Sequence, residues 1–316
     1  MDTIDSFGFE QVARWLADGQ VIPFLGAGAS RVGVDSDPLP DGHGLASELR
    51  ERMAPYPGDK ADDLAKVAQY YEEWAWDRPA LYEFLHERFH KGQVNAAPAR
   101  VARMLASIPA VTTPRFIVTT NYDNHVEDAF ALARRPLCVV IQNMRDPEHG
   151  PARLKLVYPD GTKGFAQAKT FRLQHPKLPA GTTFLFKMHG SAHQAPGSDR
   201  DDVIITENDY VDFLINTGGP VSPLFPPAAF LARFRSSRFL FLGYSLADWN
   251  FRAFLRLLVL QNAISRTDQL RHLSIQLRPD ALEAKLWQKR NVKVYDGDLV
   301  SFCDRLAKAW APEETS

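Results

Sequence analysis

Four short turns carry the side chains able to do chemistry, and each follows directly on an apolar run. The first, GAGAS at 26–30, places Gly26 and Gly28 where the lack of a Cβ permits a tight turn and a close approach of backbone N–H groups to a pyrophosphate. It reads either as a phosphate loop or as a plain strand-to-helix turn, because Arg31 stands where the fingerprint G-x-G-x-x-G has its third glycine. The second, TTNYD at 119–123, offers Asn121 and Asp123. Both are natural helix N-caps, and Asn121 also has the neutral donor and acceptor pair that can hold a sugar hydroxyl or a water beside a cationic leaving group. The third, KMHGS at 187–191, brings His189, a side chain suited to taking a proton near neutral pH, with Gly190 leaving room beside it. A structural histidine is the alternative. His189 and His193 also form H-x-x-x-H, but Gly190 and Ser191 oppose a helix and no neighbouring Glu or Cys completes a set, so no zinc is expected. The fourth, GYSLAD at 243–248, supplies Gly243 and Ser245, with Asp248 able to cap the next helix. One such turn carries little weight, whereas four at the ends of strands in one sheet point to a single crevice.

The elements that must position these turns follow from periodicity. Residues 6–18 spell a helix with Phe9, Val12, Trp15 and Leu16 on one face, and VIPFL (21–25) is a buried-type strand. From 44 to 110 helical spacing dominates between Pro and Gly breaks, which reads as a helical insertion. Trp74 and Trp76 in that stretch are either interface or core, and core is preferred because large aromatics are usually buried. RFIVTT, LCVVIQ, TFLFKM, FLFLG, LSIQL and VKVY are further strands, with helices near 124–133, after 243, at 280–290 and near 299–310. Residues 143–181 form an irregular excursion holding two weak strand-like pieces, LKLVY and KTFRLQ. Apolar strands alternating with helices imply an α/β fold, a doubly wound, mainly parallel Rossmann-like sheet whose ligand sits at the carboxyl ends of the strands. The whole span 1–316 is read as one domain.

Composition narrows the classes. Over 316 residues, 45% are hydrophobic and 24% charged, the balance of a globular protein with a sizeable core. A formal net charge of -1 lacks the basic excess of a dedicated nucleic-acid binder, so no direct nucleic-acid partner is expected. Cys138 and Cys303 are too few for a disulfide framework and suit a reducing compartment. The opening MDTIDSFGFEQVARWL is acidic where a secretory leader is basic, and no apolar run approaches the roughly 20 residues of a membrane span. A cytoplasmic protein without a membrane partner is the expectation.

In this order the four turns resemble the sirtuin family, and especially its divergent bacterial branch of sirtuin-like NAD-cleaving defence proteins. GAGAS resembles the family's glycine-rich NAD loop, TTNYD its T-Q-N-x-D segment with the catalytic Asn, KMHGS its H-G with the catalytic His, and GYS its G-T-S loop. ITENDYVDFL (205–214) and the ending VKVYDGDLVSFCDRL are softer matches. Two features of the deacylating branch are missing. The stretch after the H-G segment holds none of the four zinc-ligating cysteines, and RVGVDSDPLPDGHGL replaces the G-I-P-D-F-R continuation of the glycine loop.

The resemblance implies hydrolysis of NAD to nicotinamide and ADP-ribose, with Asn121 and His189 catalytic. Gly26, Ala27, Gly28, Ala29, Ser30, Asp123, Gly243 and Ser245 are the implied cofactor-binding residues, and NAD is the substrate. It further implies antiviral defence by NAD depletion, with control by homo-oligomerisation or by a separately encoded ATPase or sensor protein. Deacylation or ADP-ribosyl transfer shares the first bond-breaking step and is the nearest rival. A non-catalytic NAD or ADP-ribose sensor is a second.

Overall fold

VIPFL, RFIVT and TFLFK are buried along their whole length because they run through the middle of a parallel sheet covered on both faces. The computed structural model describes residues 2–34, 38–53, 55–58, 63–75, 77–89, 97–109, 111–142, 153–192, 203–218, 227–244 and 272–310. Among the described residues ten strands form one sheet: β1 (Asp2–Thr3), β2 (Val21–Leu25), β3 (Arg115–Thr119), β4 (Leu137–Gln142), β5 (Arg153–Val157), β6 (Lys163–Gln167), β7 (Thr183–Lys187), β8 (Arg238–Leu242), β9 (His272–Gln276) and β10 (Val292–Asp296). Their order across the sheet is β1-β10-β9-β8-β2-β3-β7-β4-β5-β6. All neighbours are parallel except β4 with β5 and β5 with β6. The fold is therefore the α/β, mainly parallel, Rossmann-like architecture expected from the alternation of apolar strands and helices.

The side-chain period of two assigns each strand residue to one of two cores. Leu25, Ile117, Leu185, Leu240 and Leu242 face one side, where α1 (Phe9–Ala17), α6 (Arg100–Ser107), α7 (His125–Leu132) and α11 (Leu299–Lys308) cover them. Phe24, Phe116, Phe184, Phe186, Phe239 and Phe241 face the other, packed against α9 (Ala228–Ser236) and α10 (Ala281–Gln288). Pro23 is tolerated in a central strand because pairing of β2 with β3 begins only at Phe24, which leaves the missing N–H outside that ladder.

A third core lies under α3 (Gly42–Arg52), α4 (Leu64–Tyr70) and α5 (Arg78–Phe89), built from residues such as Leu49, Val67, Leu81 and Leu85. It ends at Phe89. Helix α6, expected within the same insertion, instead gives Val101, Ala102, Met104 and Leu105 to the core beneath the sheet. Trp74 is 77% exposed, against the preference for core, and Trp76 lies outside the described residues. In the excursion, LKLVY corresponds to β5, but KTFRLQ is not a strand. Its place is taken by Lys163–Gln167, joined to β5 by a turn in which Asp160 Oδ1 accepts from the Thr162 N–H and Gly161 has a φ of 79°. This edge strand alternates exposed and half-buried residues without a strong apolar run, which hides its period in the sequence.

The strand order puts a switch point at β2. β2 lies between β3, which leads toward β7 and β4, and β8, which leads toward β9 and β10. The chain thus switches sides of the sheet at β2, and the loops after β2, β3 and β8 gather there at the carboxyl edge of the strands.

Candidate functional site

Three glycines let the loops after β2 and β8 touch. A Cβ on Gly26 would lie 2.7 Å from the Gly243 carbonyl, one on Gly28 2.9 Å from Gly243 Cα, and one on Gly243 2.1 Å from the Ala29 nitrogen. Gly243 has a φ of 72°, open chiefly to glycine. The contact engages the main chain: Gly26 N–H donates to Leu242 O at 3.0 Å, Gly28 N–H to Gly243 O at 3.0 Å and Ala29 N–H to Gly26 O at 2.9 Å. These donors are committed within the chain, so the glycines act first by allowing two backbones to cross. A short helix, α2 (Ala27–Ser30), follows at once.

Asn121 is locked into this crossing. Its Nδ2 donates to Gly26 O at 2.9 Å and to Ser30 Oγ at 2.8 Å, while Ser30 Oγ donates to Asp123 Oδ2 at 2.6 Å. The two ends of the chain, a carbonyl and a carboxylate, are acceptors only, which fixes the direction of every bond and the flip of the amide. Both amide hydrogens are used, and Oδ1 is left as the acceptor. Asp123 Oδ1 also takes the His125 N–H at 3.0 Å, so one carboxylate braces the turn into α7 and anchors Ser30. The N-cap of α7 is Asn124 rather than Asp123, because Asp123 stands one residue before the cap.

Beneath this turn, fully buried Lys187 donates from Nζ to Asp123 O at 2.5 Å and pairs with Glu127 at 2.8 Å. Burial pushes the Glu127 carboxyl up, against the pull of Lys187. A buried lysine at a strand end needs such acceptors. Lys187 was visible in KMHGS without any partner to give it meaning.

His189 sits in a different medium. Its ring meets Tyr210 and Phe213 edge-on, with centroids 5.5 and 5.9 Å away, and makes no hydrogen bond among the described residues. Burial pushes the imidazole down to about 3, although Asp209 pulls the other way. The ring is therefore neutral across the physiological range. Tyr210 and Phe213 are spaced i, i+3 on α8 (Glu207–Gly218), inside the ENDYVDF segment, and their spacing was the one sequence signal for their role.

A cavity of about 980 Å³ opens over these turns. Of the expected site residues, Ala27, Gly28, Ser30, Asn121, Asp123, His189 and Gly243 line it. Gly26 and Ala29 do not line it: Gly26 has both main-chain polar groups engaged, and Ala29 is packed into the core under the sheet. Ser245, Asp248 and His193 lie outside the described residues. Sequence reasoning gave no role to Tyr244, whose hydroxyl is 2.5 Å from Thr120 Oγ1 and whose ring packs on Phe24, nor to Arg31 and Arg278 on the wall. Asp298, in the terminal segment singled out from the sequence, also lines the cavity and caps α11 by accepting from the Ser301 N–H at 2.8 Å.

The SIR2-like domain family matches residues 115–295, from β3 to β10 and more than half of the chain. No curated protein matches it. Among solved structures, a Sir2 homologue in complex with NAD is 13% identical with a TM-score of 0.44, the match covering 95% of this chain and 92% of that one. A mutant Sir2 homologue in complex with ADP-ribose, with histidine replaced by asparagine, is 14% identical with a TM-score of 0.42, covering 95% of each chain.

Proposed function

The chain belongs to the SIR2-like domain family, and from that premise we propose that its cavity binds NAD and cleaves the nicotinamide–ribose bond with water, giving nicotinamide, ADP-ribose and a proton. The observation that carries this reading is that one cavity is lined both by Asn121, its amide oriented and its Oδ1 without a bond among the described residues, and by His189, which burial keeps neutral. The cavity, about 980 Å³, lies at the upper end of the roughly 300–1,000 Å³ of small-molecule sites.

Nicotinamide leaves a cationic pyridinium as a neutral ring, so no general acid is required, in contrast to ordinary glycoside hydrolysis. Asn121 Oδ1 orients the attacking water or a ribose hydroxyl, and His189 accepts the proton released as the new C–O bond forms. Asp123 acts through Ser30, keeping the Asn121 amide in place. Ala27, Gly28, Ser30 and Gly243 form the wall toward the pyrophosphate, with Gly26 and Ala29 shaping the loop behind them. Ser245 belongs to the same proposal. A chain with two cysteines, both buried, cannot build a zinc ribbon of four cysteine ligands, which favours water over an acyl-lysine peptide as the partner that captures the sugar.

Unchecked NAD cleavage would drain a cell, so control by homo-oligomerisation, or by a separately encoded ATPase or sensor protein, belongs to the same reading, as does antiviral defence by NAD depletion. A monomer with full constitutive activity would contradict that part.

Chromatography of NAD incubated with the purified chain, with and without an acyl-lysine peptide, tests the reaction itself. Peptide-independent nicotinamide and ADP-ribose are expected. Peptide-dependent acyl-ADP-ribose would make the chain a deacylase, and tight NAD binding without products in every assembly state would make it a sensor.

A further inference from the structure

Helix α5 presents Arg78, Tyr82 and His86 at i, i+4 and i+8, one face of the helix, and all three reach main-chain carbonyls beside His189. Tyr82 OH donates to Ser191 O at 3.3 Å, and His86 Nδ1 lies 2.8 Å from Ala192 O. Arg78 bonds Val203 O through Nη2 and pairs through Nη1 with Asp209 and Glu72, each at 2.9 Å. One turn further along the same face, Phe89 meets the Tyr122 ring edge-on with centroids 5.6 Å apart.

Residues 203–206 form a buried strap between the two catalytic turns. Ile204 N–H donates to His189 O at 3.0 Å, and Tyr122 OH, next to Asn121, donates to Ile204 O at 2.6 Å. Burial pushes the Tyr122 phenol far up, which keeps it a donor. Asp209 Oδ2 closes the strap by accepting from Ile205 and Thr206 N–H at 3.0 and 2.9 Å. Ala192 N–H, beside the carbonyl held by His86, donates to Tyr122 O at 3.2 Å. The same face of α5 thus grips both turns, and Arg78 balances the Asp209 carboxylate that closes the strap.

Resting on the reading that Asn121 and His189 do the chemistry, we propose that Arg78, Tyr82 and His86 are positioning residues, through which the helical insertion holds the two catalytic turns in register. None touches the reacting atoms, and their effect appears in kcat and in the order of the turns. A loosened strap lets the Asn121 and His189 turns shift independently, and misplacement on the ångström scale costs about 10²-fold in rate.

The test compares full-length wild type with Arg78→Gln, Arg78→Lys, Tyr82→Phe and, as a control on the exposed face of α5, Glu83→Gln. Hydrogen exchange is read at the Ile204, Ile205, Thr206 and Ala192 amides, beside steady-state NAD cleavage. For Arg78→Gln we expect at least about tenfold faster exchange at the strap, kcat lower by about tenfold or more, and KM changed less than about twofold. Arg78→Lys recovers part of both, since it keeps the charge beside Asp209 but not the fork. Tyr82→Phe, which removes one hydroxyl, moves the Ala192 amide and kcat less in the same direction and serves if Arg78→Gln does not fold. Unchanged strap exchange in the folded variants, or a raised KM at constant kcat, overturns the proposal. If wild type does not cleave NAD, the functional reading fails alone, and the exchange data still decide whether α5 holds the turns.

Discussion

The turn carrying Asn121 and the turn carrying His189 end neighbouring strands of one sheet, yet they are held by opposite means. Asn121 is set by polar bonds of fixed direction, from Gly26 O through Ser30 to Asp123, all within the first turns after β2 and β3. His189 has no ring hydrogen bond among the described residues and is held by aromatic edges from α8, in a setting that keeps it neutral. A short polar network specifies orientation from the carboxyl edge of the sheet. An apolar pocket specifies protonation and depends on elements distant in the chain.

Substitutions break this contrast with graded force. Asn121→Asp keeps the shape but offers Gly26 O no donor, so we expect NAD cleavage to fall about 10²-fold or more, measured as kcat in the folded protein. Ser30→Ala removes one acceptor for Asn121 and the partner of Asp123. Loss of a hydrogen bond worth about 1.4 kcal/mol in orientation corresponds to about tenfold in kcat. On the His189 side, the pH–rate profile should show no inflection near 6.5 and remain flat from about pH 5 to 8, because the ring is already neutral there. An inflection near 6.5 would mean a solvated ring.

The smallest effect is on stability. His189 and His272 are held down at about 3 and about 4 by burial, while an unfolded histidine titrates near 6.5. Between those values the unfolded chain binds more protons than the folded one, so stability rises with pH and is lost as pH falls from about 6.5 toward 4. Tm should be level above about pH 7 and decline below about 6, with His272→Asn flattening part of the slope.

The sequence was most legible where chemistry and local geometry coincide. Runs such as TFLFK and RFLFL must be buried strands, and the polar turns after them must share the carboxyl edge of a parallel sheet. Gly26 and Gly28 read from the sequence as places of close approach to a pyrophosphate, whereas the close approach in the structure is to the Gly243 loop, a contact between strands far apart in sequence. Lys187 and Arg78 read as ordinary charged residues until tertiary contact supplied Glu127, Asp123 O and Asp209. β6 is hidden in the sequence because an exposed edge strand carries little apolar period, and Trp74, expected in the core, is exposed on the π-helical stretch Tyr71–Ala75 because burial of an aromatic is only a tendency.

The central claim is tested most directly by the initial rate of nicotinamide release from NAD for wild type, Asn121→Ala and His189→Ala, each shown to be folded and to bind NAD. We expect wild type to yield nicotinamide and ADP-ribose in equal amounts and both variants to lose about 10²- to 10⁴-fold in rate. Wild-type turnover in either variant would contradict the assignment of the catalytic pair.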